Sequence, residues 1–429
     1  MSIRLATGGR LIDRSRKIGF SFNGKRMSAH PGDTLAAALM ANGQMIMGRS
    51  FKYHRPRGVV ASGAEEPNAL VNLGTGARHE PNQRATLTEV FDGLQATSQN
   101  HWPSLNWDIG EVNALIPRLL PAGFYYKTFI HPRPFWKHVF EPFIRQSAGL
   151  GRAPDPKHSD PNRYEQFYAH VDLVVAGGGI AGLQAALEAG RAGLRVILCE
   201  QAAHWGGRAP VDGVEIDGQP AEAWVAAAVQ TLEQMPNVDL RLRTMAAGVY
   251  DHGYVIAYER LADHAPGGDA PRHRLWRIRT GRVIAATGAL ERPLSFAGND
   301  KPGVMLAAAM RDYVVNWGVA PGQRTVVVTN NDDAYRTALS LVAAGLEVAC
   351  IVDARAEADG TLVQEARARG LRVLTGTGIA NVKGLRGVVA VQLCAQDGKG
   401  EVIEDVVCDA VAMSGGWSPV VHLWSHWGG

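Results

Sequence analysis

Length, composition and charge exclude several classes of protein for this chain. Its 429 residues suffice for two or three domains, and 20% charged with 46% hydrophobic residues is typical of a globular protein. A net charge of +3 gives no reason to expect nucleic-acid binding. The sequence has no long apolar run, which predicts no membrane span, and no apolar h-region near its N-terminus, which predicts no signal peptide. The four cysteines lack CxxC spacing, which favours a reducing cytoplasm over a disulfide scaffold, a zinc site or a redox disulfide.

Residues 1–95 are predicted to form a small α+β module. Asn23-Gly24 separates two strand-like runs, which is the pattern of a β-hairpin. The run 34–42 has the composition of a helix, with Asp33 as its N-cap and Gly43 just beyond its end.

A basic run follows this helix. Its cationic side chains fall within nine positions: Arg49, Lys52, His54, Arg55 and Arg57. The run is either a solvated face or a clamp for a phosphate or a partner's carboxylates, because the arginine fork suits both anions.

Residues 96–168 are rich in aromatic side chains and are broken by prolines. Neither a helical nor a strand period extends over the whole stretch. We predict a connecting arm, which lies either on the chain's own core or at a subunit interface, where aromatic residues and arginine are enriched.

The segment 170–200 carries the most informative motif. An apolar run ends in GGGIAG, a helix rich in small residues follows, and a second apolar run ends at Glu200. In this frame Gly177 permits the tight turn, Gly179 lets backbone amides approach a pyrophosphate, and Gly182 lets the helix lie close to the sheet. Glu200 follows at the spacing of about 20 residues at which a carboxylate binds the ribose hydroxyls. We therefore predict a dinucleotide site in a first unit, residues 169–323.

Strands and helices alternate from residue 170 onward, which predicts a parallel sheet. A helix over 220–235, a strand over 238–243, a meander over 249–280 and a buried strand over 282–293 with an Ala-Thr-Gly turn are predicted in this order.

A second βαβ unit, residues 324–405, repeats the geometry without the glycines. Its turn between strand and helix reads TNNDDA over 329–334. Two aspartates at a helix N-terminus satisfy the helix dipole and repel a pyrophosphate by about 1 kcal/mol or more per charge pair. We expect this degenerate unit to bind no nicotinamide nucleotide.

These features together resemble the two-dinucleotide-binding-domain flavoprotein scaffold, an α/β fold with two nested Rossmann-like units. The resemblance is carried by GGGIAG, Glu200, Gly206-Gly207, ATGALERP and DAVAMSGGWSP. In that family the ATG turn and the closing strand–glycine element wrap the first dinucleotide. The resemblance therefore implies contacts from Gly207, Thr287 and Gly288, and a return of residues 406–429 to the first unit.

Longer strings resemble the alpha subunit of heterotetrameric sarcosine oxidase in that family's order: GDTLAAALMANG, GRSFKYHRPRG, EEPNALVNLG, SQNHWPSLNWD and AGFYYKTF. The resemblance implies that residues 1–95 have a ferredoxin-like fold without an iron–sulfur cluster, and no cysteine precedes Cys199 to bind one. It also implies NAD in the first unit. The contacts carried over by motif are Ala181, Glu200, Gln201, Arg208, Ala246, Ser418, Leu423 and Ser425.

Two departures from this family stand out. Glu200-Gln201 replaces the family's pair of acids, so one carboxylate is missing. Family alpha subunits continue into a folate-binding half that resembles an aminomethyltransferase, and we therefore expect this chain to be the N-terminal part of such a subunit.

The motifs argue against independent catalysis. One nucleotide site is intact, and the sequence holds no CxxC, HExxH or GxSxG, so we predict no catalytic residue and no metal site. The resemblance implies a beta subunit with FAD, an FMN at the alpha–beta interface, and gamma and delta subunits. The implied reaction is oxidative demethylation of sarcosine to glycine, formaldehyde or methylene-tetrahydrofolate, and hydrogen peroxide.

Two alternatives stay open. The chain is an alpha subunit of a dye-linked proline, hydroxyproline or opine dehydrogenase complex, or it is an autonomous oxidoreductase with FAD in the first site. The GGGIAG turn and the ATG turn by themselves favour FAD slightly over NAD, whereas the family resemblance favours NAD.

Overall fold

The computed structural model describes residues 3–115, 118, 120, 123, 127, 129–147, 151, 153–155, 157 and 159–428. It divides into two compact units: unit 1 contains Met1–Asp160 and Glu291–Gly416, and unit 2 contains Pro161–Leu290 and Trp417–Gly429. Of the predicted arm, Phe124, Tyr125 and Tyr126 lie outside the described residues. None of the helices in the described part of the chain is long and apolar enough to cross a membrane.

The N-terminal part of unit 1 contains a five-stranded sheet and a buried helix. Its elements are β1 (Ile18–Phe22), β2 (Lys25–Ala29), α1 (Leu35–Ala41), β3 (Gly48–Arg49), β4 (Pro56–Arg57), β5 (Leu70–Leu73), β6 (Glu80–Arg84) and β7 (Leu94–Ser98). The sheet order is β2-β1-β7-β5-β6, and β1 pairs antiparallel with β2 as the hairpin at Asn23-Gly24 predicts. Short helical segments follow: Ile109–Leu115, α2 (Arg133–Phe135), Trp136–Phe140 and α3 (Glu141–Ser147).

The N-cap of α1 is Thr34 and not Asp33. The Thr34 hydroxyl accepts a hydrogen bond from the Ala37 N–H at 3.3 Å. The Asp33 carboxylate is instead engaged by the Arg4 guanidinium at 2.6 Å, a contact between distant residues that the local sequence does not show.

Unit 2 begins with the predicted first βαβ unit. Its elements are β8 (Tyr164–Ala176), α4 (Ile180–Arg191), β9 (Val196–Cys199), α5 (Ala209–Asp212), β10 (Glu215–Ile216), β11 (Gln219–Pro220), α6 (Ala221–Glu233), β12 (Val238–Arg241), β13 (Thr244–Tyr250), β14 (Tyr254–Arg260), β15 (His273–Ala285) and β16 (Ala289–Glu291). The order of the main sheet is β12-β9-β8-β15-β14-β13, with four parallel strands and an antiparallel meander.

Two strands of this sheet are longer than predicted. β8 begins at Tyr164 and not near Val171, and β15 continues through Gly281 as one strand of 13 residues. The two extensions pair with each other in parallel from Tyr164↔His273 onward. Each extension satisfies backbone groups of the other, so neither strand ends where its apolar run ends.

The second part of unit 1 contains β17 (Val304–Leu306), α7 (Ala307–Trp317), β18 (Arg324–Thr329), α8 (Asp333–Ala343), β19 (Glu347–Asp353), α9 (Thr361–Ala368), β20 (Val373–Thr375), β21 (Thr377–Lys383), β22 (Ala390–Ala395), β23 (Val402–Val407) and β24 (Ala410–Ser414). The parallel sheet order is β17-β24-β18-β19-β20, and β21-β22-β23 form a separate antiparallel sheet. The chain then returns to unit 2 with β25 (Trp417–Pro419) and α10 (His422–His426).

The compact units differ from the predicted domain boundaries. Residues 291–323 and 406–416 belong to unit 1, whereas the sequence assigned them to the first dinucleotide-binding unit or to the return to it. β17 and β24, which lie in these two stretches, pair with each other in the second parallel sheet. The N-terminal module also shares its hydrophobic core with this second part. The Tyr313 hydroxyl donates to the Ala61 carbonyl at 3.1 Å, which ties α7 to the module.

Candidate functional site

The glycine turn of unit 2 has no room for side chains at its two ends. Gly177 has a φ of +110°, and a Cβ there would lie 2.2 Å from the Ala286 carbonyl oxygen. A Cβ at Gly182 would lie 1.8 Å from the Gly177 carbonyl oxygen, so α4 rests directly on the turn. Both positions therefore require glycine for the close contact of helix and strand.

The middle of the turn is open. Gly179 is the N-cap of the 12-residue helix α4, and no atom lies within 4 Å of the position that its Cβ would take. Ala181, in the first turn of α4, is exposed. The unpaired N–H groups and the positive dipole end of such a helix bind phosphate. The turn can therefore cradle a pyrophosphate.

Glu200 follows directly after β9 and is held by backbone amides. One carboxylate oxygen accepts from the Gly178 N–H and the other from the Ala202 N–H, both at 2.7 Å. An ionised carboxylate has about four lone-pair sites. Glu200 therefore retains acceptor capacity for two ribose hydroxyls while its position is fixed beside the glycine turn.

Sequence reasoning missed part of this arrangement. Gly178 donates to Glu200, and its own Cβ would lie 2.4 Å from the Trp205 ring. The Gly206 N–H donates to the Gly178 carbonyl at 2.8 Å, which brings the segment with Gly207 against the turn. Three consecutive glycines, where the motif requires two, are the signal that could have identified Gly178.

The closing segment of the chain meets the Thr-Gly turn. The Thr287 hydroxyl donates to the Val420 carbonyl at 2.7 Å, and the Val420 N–H donates to the Gly288 carbonyl at 3.0 Å. β25, which contains Ser418, pairs with β16. The guanidinium of Arg208 lies over the Trp417 ring at 5.3 Å. The structure thus brings Arg208, the Thr-Gly turn and β25 together in unit 2.

For the other residues predicted to contact the nucleotide, the structure shows no hydrogen bond to the glycine turn. The Gln201 side chain is exposed, and Ala246 is half-buried at a bulge of β13. Leu423 is buried in a hydrophobic cluster with residues of the meander, and the Ser425 hydroxyl donates to the His422 carbonyl. Packing and local capping account for Leu423 and Ser425, and their contact with a nucleotide stays a prediction.

The corresponding turn of unit 1 is filled by side chains. The N-cap of α8 is Asp332, whose carboxylate pairs with the Arg355 guanidinium at 2.7 Å. Arg355 also pairs with the fully buried Asp353 at 2.7 Å, and Asp333 pairs with the buried Arg311 at 3.1 Å. The aspartates at this helix N-terminus are thus neutralised by Arg311 and Arg355. Because both arginines are engaged in these pairs, neither is left to bind a pyrophosphate.

All four cysteines are free thiols. Burial raises the pKa of Cys199 to about 12, that of Cys350 to about 11 and that of Cys408 to about 12. These three thiols are therefore protonated at neutral pH and are poor nucleophiles. No group of three or more His, Cys, Asp or Glu side chains could hold a metal ion in the part of the chain that the structure describes.

The basic run is not a uniformly solvated face. Arg49 and His54 are buried, and His54 Nδ1 lies 2.6 Å from an Asp108 carboxylate oxygen. Arg57 pairs with Asp300 at 2.5 Å, whereas Arg55 is more than half exposed. Arg55 also lies 3.8 Å from the Asp300 carboxylate, in a weaker and more exposed pair, so intramolecular pairing engages most of these cations.

The fold and this site define an α/β nucleotide-binding protein with two Rossmann-like units, one open and one closed at its turn. A family model described as pyridine nucleotide-disulphide oxidoreductase matches residues 171–426. The chain therefore belongs to this family of oxidoreductases, and the predicted two-dinucleotide-binding fold is confirmed.

Individual relatives make the resemblance more specific. The chain is 48% identical over 430 residues to the sarcosine oxidase subunit alpha of Rhizobium meliloti (strain 1021), covering 100% of this chain and 42% of that protein. It is 36% identical over 422 residues to the subunit alpha of Corynebacterium sp. (strain P-1), covering 96% of this chain and 39% of that protein. The resemblance to this alpha subunit is confirmed, and the chain spans about two fifths of the length of these relatives.

A solved structure supports the fold alone. L-proline dehydrogenase from P. horikoshii is 22% identical, with a TM-score of 0.63, and the match covers 100% of this chain and 65% of that chain.

The prediction that excluded an iron–sulfur cluster is contradicted. A family model described as a 2Fe-2S iron-sulfur cluster binding domain matches residues 15–101, and this match conflicts with that prediction. The donors present do not fit the thiolate ligands of such a cluster, because residues 15–101 contain no cysteine. In the loop after β4, the Glu66 carboxylate instead accepts from four backbone N–H groups, those of Val60, Ala61, Asn68 and Ala69, at 2.7–3.1 Å.

Proposed function

We propose that this chain is the NAD-binding part of an oxidoreductase complex that oxidises sarcosine, and that it holds the nucleotide while flavin chemistry takes place with a companion subunit. The single observation that carries the nucleotide site is Glu200. Its carboxylate is fixed by two backbone amides beside an open glycine turn, with acceptor capacity left for ribose.

In this proposal, different residues of unit 2 bind different parts of the nucleotide. The N–H groups at the start of α4 would hold the pyrophosphate, and Glu200 would accept from the adenosine ribose. Arg208 and the segment with Thr287, Gly288 and Ser418 would enclose the remainder of the nucleotide. When bound, NAD supplies a hydride acceptor, and we assign this chain no residue that moves a proton or a hydride.

The choice of NAD over FAD and the identity of the complex are proposed from the resemblance to sarcosine oxidase subunit alpha. FAD would belong to a beta subunit and FMN to its interface with this chain, with gamma and delta subunits completing the complex. The reaction would be the demethylation of sarcosine to glycine with formaldehyde, or methylene-tetrahydrofolate, and hydrogen peroxide. We place this complex in the cytoplasm.

The identity of the nucleotide is tested by denaturing the purified chain and measuring the released nucleotide by mass spectrometry. We expect NAD at a ratio of one per chain and a colourless protein. Release of FAD from a yellow protein would support an autonomous flavoprotein instead. A chain that releases no nucleotide and binds none in equilibrium dialysis with NAD would overturn the proposal.

The assignment to a complex needs a second measurement. Co-expression with a sarcosine oxidase beta subunit is expected to give a co-eluting complex with sarcosine turnover, whereas the isolated chain is expected to be inactive. A complex that oxidises proline or an opine but not sarcosine would support the alternative dehydrogenase. A double variant, Arg55→Glu with Arg57→Glu, that co-elutes as well as the parent would exclude the basic run from the interface.

A further inference from the structure

The first part of β8 has a free edge in unit 2. β15 pairs with β8 from Tyr164 to Ala176, whereas β9 pairs with the other side of β8 only from Leu173 onward. In the part of the chain that the structure describes, no strand borders residues 164–171 on that side. Alternate backbone N–H and C=O groups of these residues therefore point away from the sheet, where a further strand can pair with them.

Aromatic side chains stand on both faces of this free edge. Phe167 is 43% exposed and Tyr168 is 68% exposed, and Gln166 and His170 are also exposed. Proteins commonly protect an edge strand from pairing with another chain by placing proline or charged side chains on it. Residues 166–170 contain no proline and no Asp, Glu, Lys or Arg, so these protecting residues are missing here. Both the backbone and the side chains thus favour the addition of another strand.

The face of the sheet that carries Phe167 is balanced in charge. The guanidinium of Arg274 lies over the Phe167 ring, 4.5 Å from its centroid. The same guanidinium pairs with the Glu165 carboxylate at 2.5 Å and with the Glu259 carboxylate at 3.3 Å. The cation beside Phe167 is therefore compensated, and an added strand would meet an aromatic ring on this face.

The opposite face, which carries Tyr168, has positive charge without compensation. The register places Arg277 beside Tyr168 and Arg279 beside His170. Arg277 donates to the Tyr168 hydroxyl at 2.7 Å, and Arg279 lies over the Tyr254 ring at 4.7 Å. Neither guanidinium has a carboxylate partner among the described residues. The strand residues that share this face around Arg277 include no Asp or Glu: Gln166, Tyr168, His170, Tyr254, Ile256, Tyr258, Leu275, Arg277 and Arg279.

The Arg277 side chain extends from β15 toward the free edge. Its guanidinium carbon lies 5.5 Å from the centroid of the Tyr168 ring, so the cation stands over β8 itself. A strand added to β8 would run about 5 Å from it, with its side chains directly beside Tyr168. A carboxylate on such a strand can therefore reach the Arg277 guanidinium.

We propose that the free edge of β8 binds an acidic, extended segment of a companion polypeptide, which adds to the sheet as a strand beside residues 166–170. Acidic side chains of the segment meet Arg277 and Arg279, and apolar side chains pack on Phe167. Because side chains alternate across a strand, the segment alternates apolar and acidic residues. Tyr168 and Gly177 are separated by about 30 Å of extended strand, so this site is distinct from the nucleotide site.

The probe is a fluorescent peptide of about six residues that alternates valine and glutamate, titrated with the purified chain in fluorescence anisotropy. We expect saturable binding. A peptide that alternates valine and lysine should bind at least about tenfold more weakly, because its cations meet Arg277 and Arg279. No saturation up to about 1 mM, or equal binding of the lysine peptide, would overturn the proposal.

A second comparison separates strand addition from attraction of charge. N-methylation of every second amide removes the backbone donors along one edge of the peptide, and two versions of the acidic peptide carry the methyl groups on opposite edges. We expect one version to lose binding at least about tenfold and the other to bind about as well as the unmodified peptide. Equal affinities of the two versions would contradict strand addition.

Two variants locate the site within unit 2. Arg277→Gln should weaken binding of the acidic peptide about tenfold, whereas Arg191→Gln, in an exposed pair with Glu188 on α4, should have no effect. Unchanged affinity in Arg277→Gln would contradict the proposal. Glu200→Ala, which removes the predicted ribose acceptor, should bind the peptide as the parent does, so failure at this edge is distinguishable from failure of the nucleotide site.

A second copy of this chain is the alternative occupant of the edge. Residues 166–170 contain no acidic side chain, so pairing of two such edges would bring no carboxylate to Arg277. We expect the sedimentation coefficient of the purified chain to show no self-association that the acidic peptide reverses. Dimers that this peptide dissociates would assign the edge to a second copy and overturn the proposal.

Discussion

The turns of the two Rossmann-like units differ at equivalent positions. In unit 2, β8 ends at Ala176 and α4 begins four residues later; in unit 1, β18 ends at Thr329 and α8 begins at the same distance. The helix position held by Gly182 in unit 2 is therefore held by Tyr335 in unit 1. Tyr335 is fully buried, and its hydroxyl donates to Asp353 at 2.8 Å.

The same arrangement of strand, turn and helix is therefore open in one unit and filled in the other. Glycines in unit 2 leave the N-terminus of α4 open, and the Glu200 carboxylate, just after β9, retains lone pairs that can accept further hydrogen bonds. Side chains in unit 1 fill the equivalent space, and Asp353 is turned inward toward Tyr335 and Arg355. The fold permits a nucleotide, but the residues of the turn decide whether one binds.

The largest effect is expected from a methyl group at the tightest contact of the open turn. Gly182→Ala places a Cβ 1.8 Å from the Gly177 carbonyl oxygen, so α4 must move off the sheet. We expect loss of nucleotide binding and about 3 kcal/mol of stability, near the upper end of overpacking costs, in urea unfolding. Gly268→Ala, where no atom lies within 4 Å, is the control; equal losses in both variants would contradict the steric argument.

A smaller effect is expected at the ribose acceptor. Glu200→Ala removes two charge-assisted hydrogen bonds to the ligand, which should weaken NAD binding about 100-fold in equilibrium dialysis. Glu188→Ala on the exposed side of α4 is the control and should retain the parent affinity. An unchanged affinity for NAD in Glu200→Ala would contradict the assignment of Glu200 as the ribose acceptor.

The closed turn is tested by opening it. Arg355→Ala leaves the carboxylates of Asp332 and Asp353 without this cation, and we expect a loss of about 1–2 kcal/mol in urea unfolding. The nucleotide ratio should stay at one per chain, because Tyr335 still fills the position of the missing glycine. Arg369→Ala, in an exposed pair with Glu365, is the control for stability. A second bound nucleotide would show that Arg355 alone closes this unit.

The smallest effect is expected at an exposed ion pair between β8 and the residue just before β9, Asp172 with Arg195. The guanidinium of Arg195 bonds to the Asp172 carboxylate and lowers its pKa to about 2. The folded pKa lies below the unfolded one, so this stabilisation is present above about pH 4 and is lost as the pH falls toward 2. Asp172→Asn should lower the melting temperature slightly at pH 7 and not at pH 2. A deficit of equal size at both pH values would assign the effect to something other than ionisation.

The local sequence was sufficient for the glycine turn, the hairpin at Asn23-Gly24 and the two βαβ patterns, because each depends on neighbouring residues and a fixed period. It was also sufficient for the resemblance to sarcosine oxidase subunit alpha. The same resemblance implied a module without an iron–sulfur cluster, and the match of residues 15–101 to a cluster-binding domain model contradicts this prediction, although these residues contain no cysteine.

Other features required the tertiary structure because they join distant parts of the chain. The start of β8 at Tyr164 depends on pairing with His273, and the replacement of Asp33 as N-cap depends on Arg4. The grouping of β24 with β17, the neutralisation of Asp332 by Arg355 and the buried, partly unpaired Arg49 are of the same kind. The sequence by itself determined the glycine turn and the two βαβ patterns, because these depend on neighbouring residues, whereas long-range pairing of strands and charges decided which turn is open and which is filled by side chains.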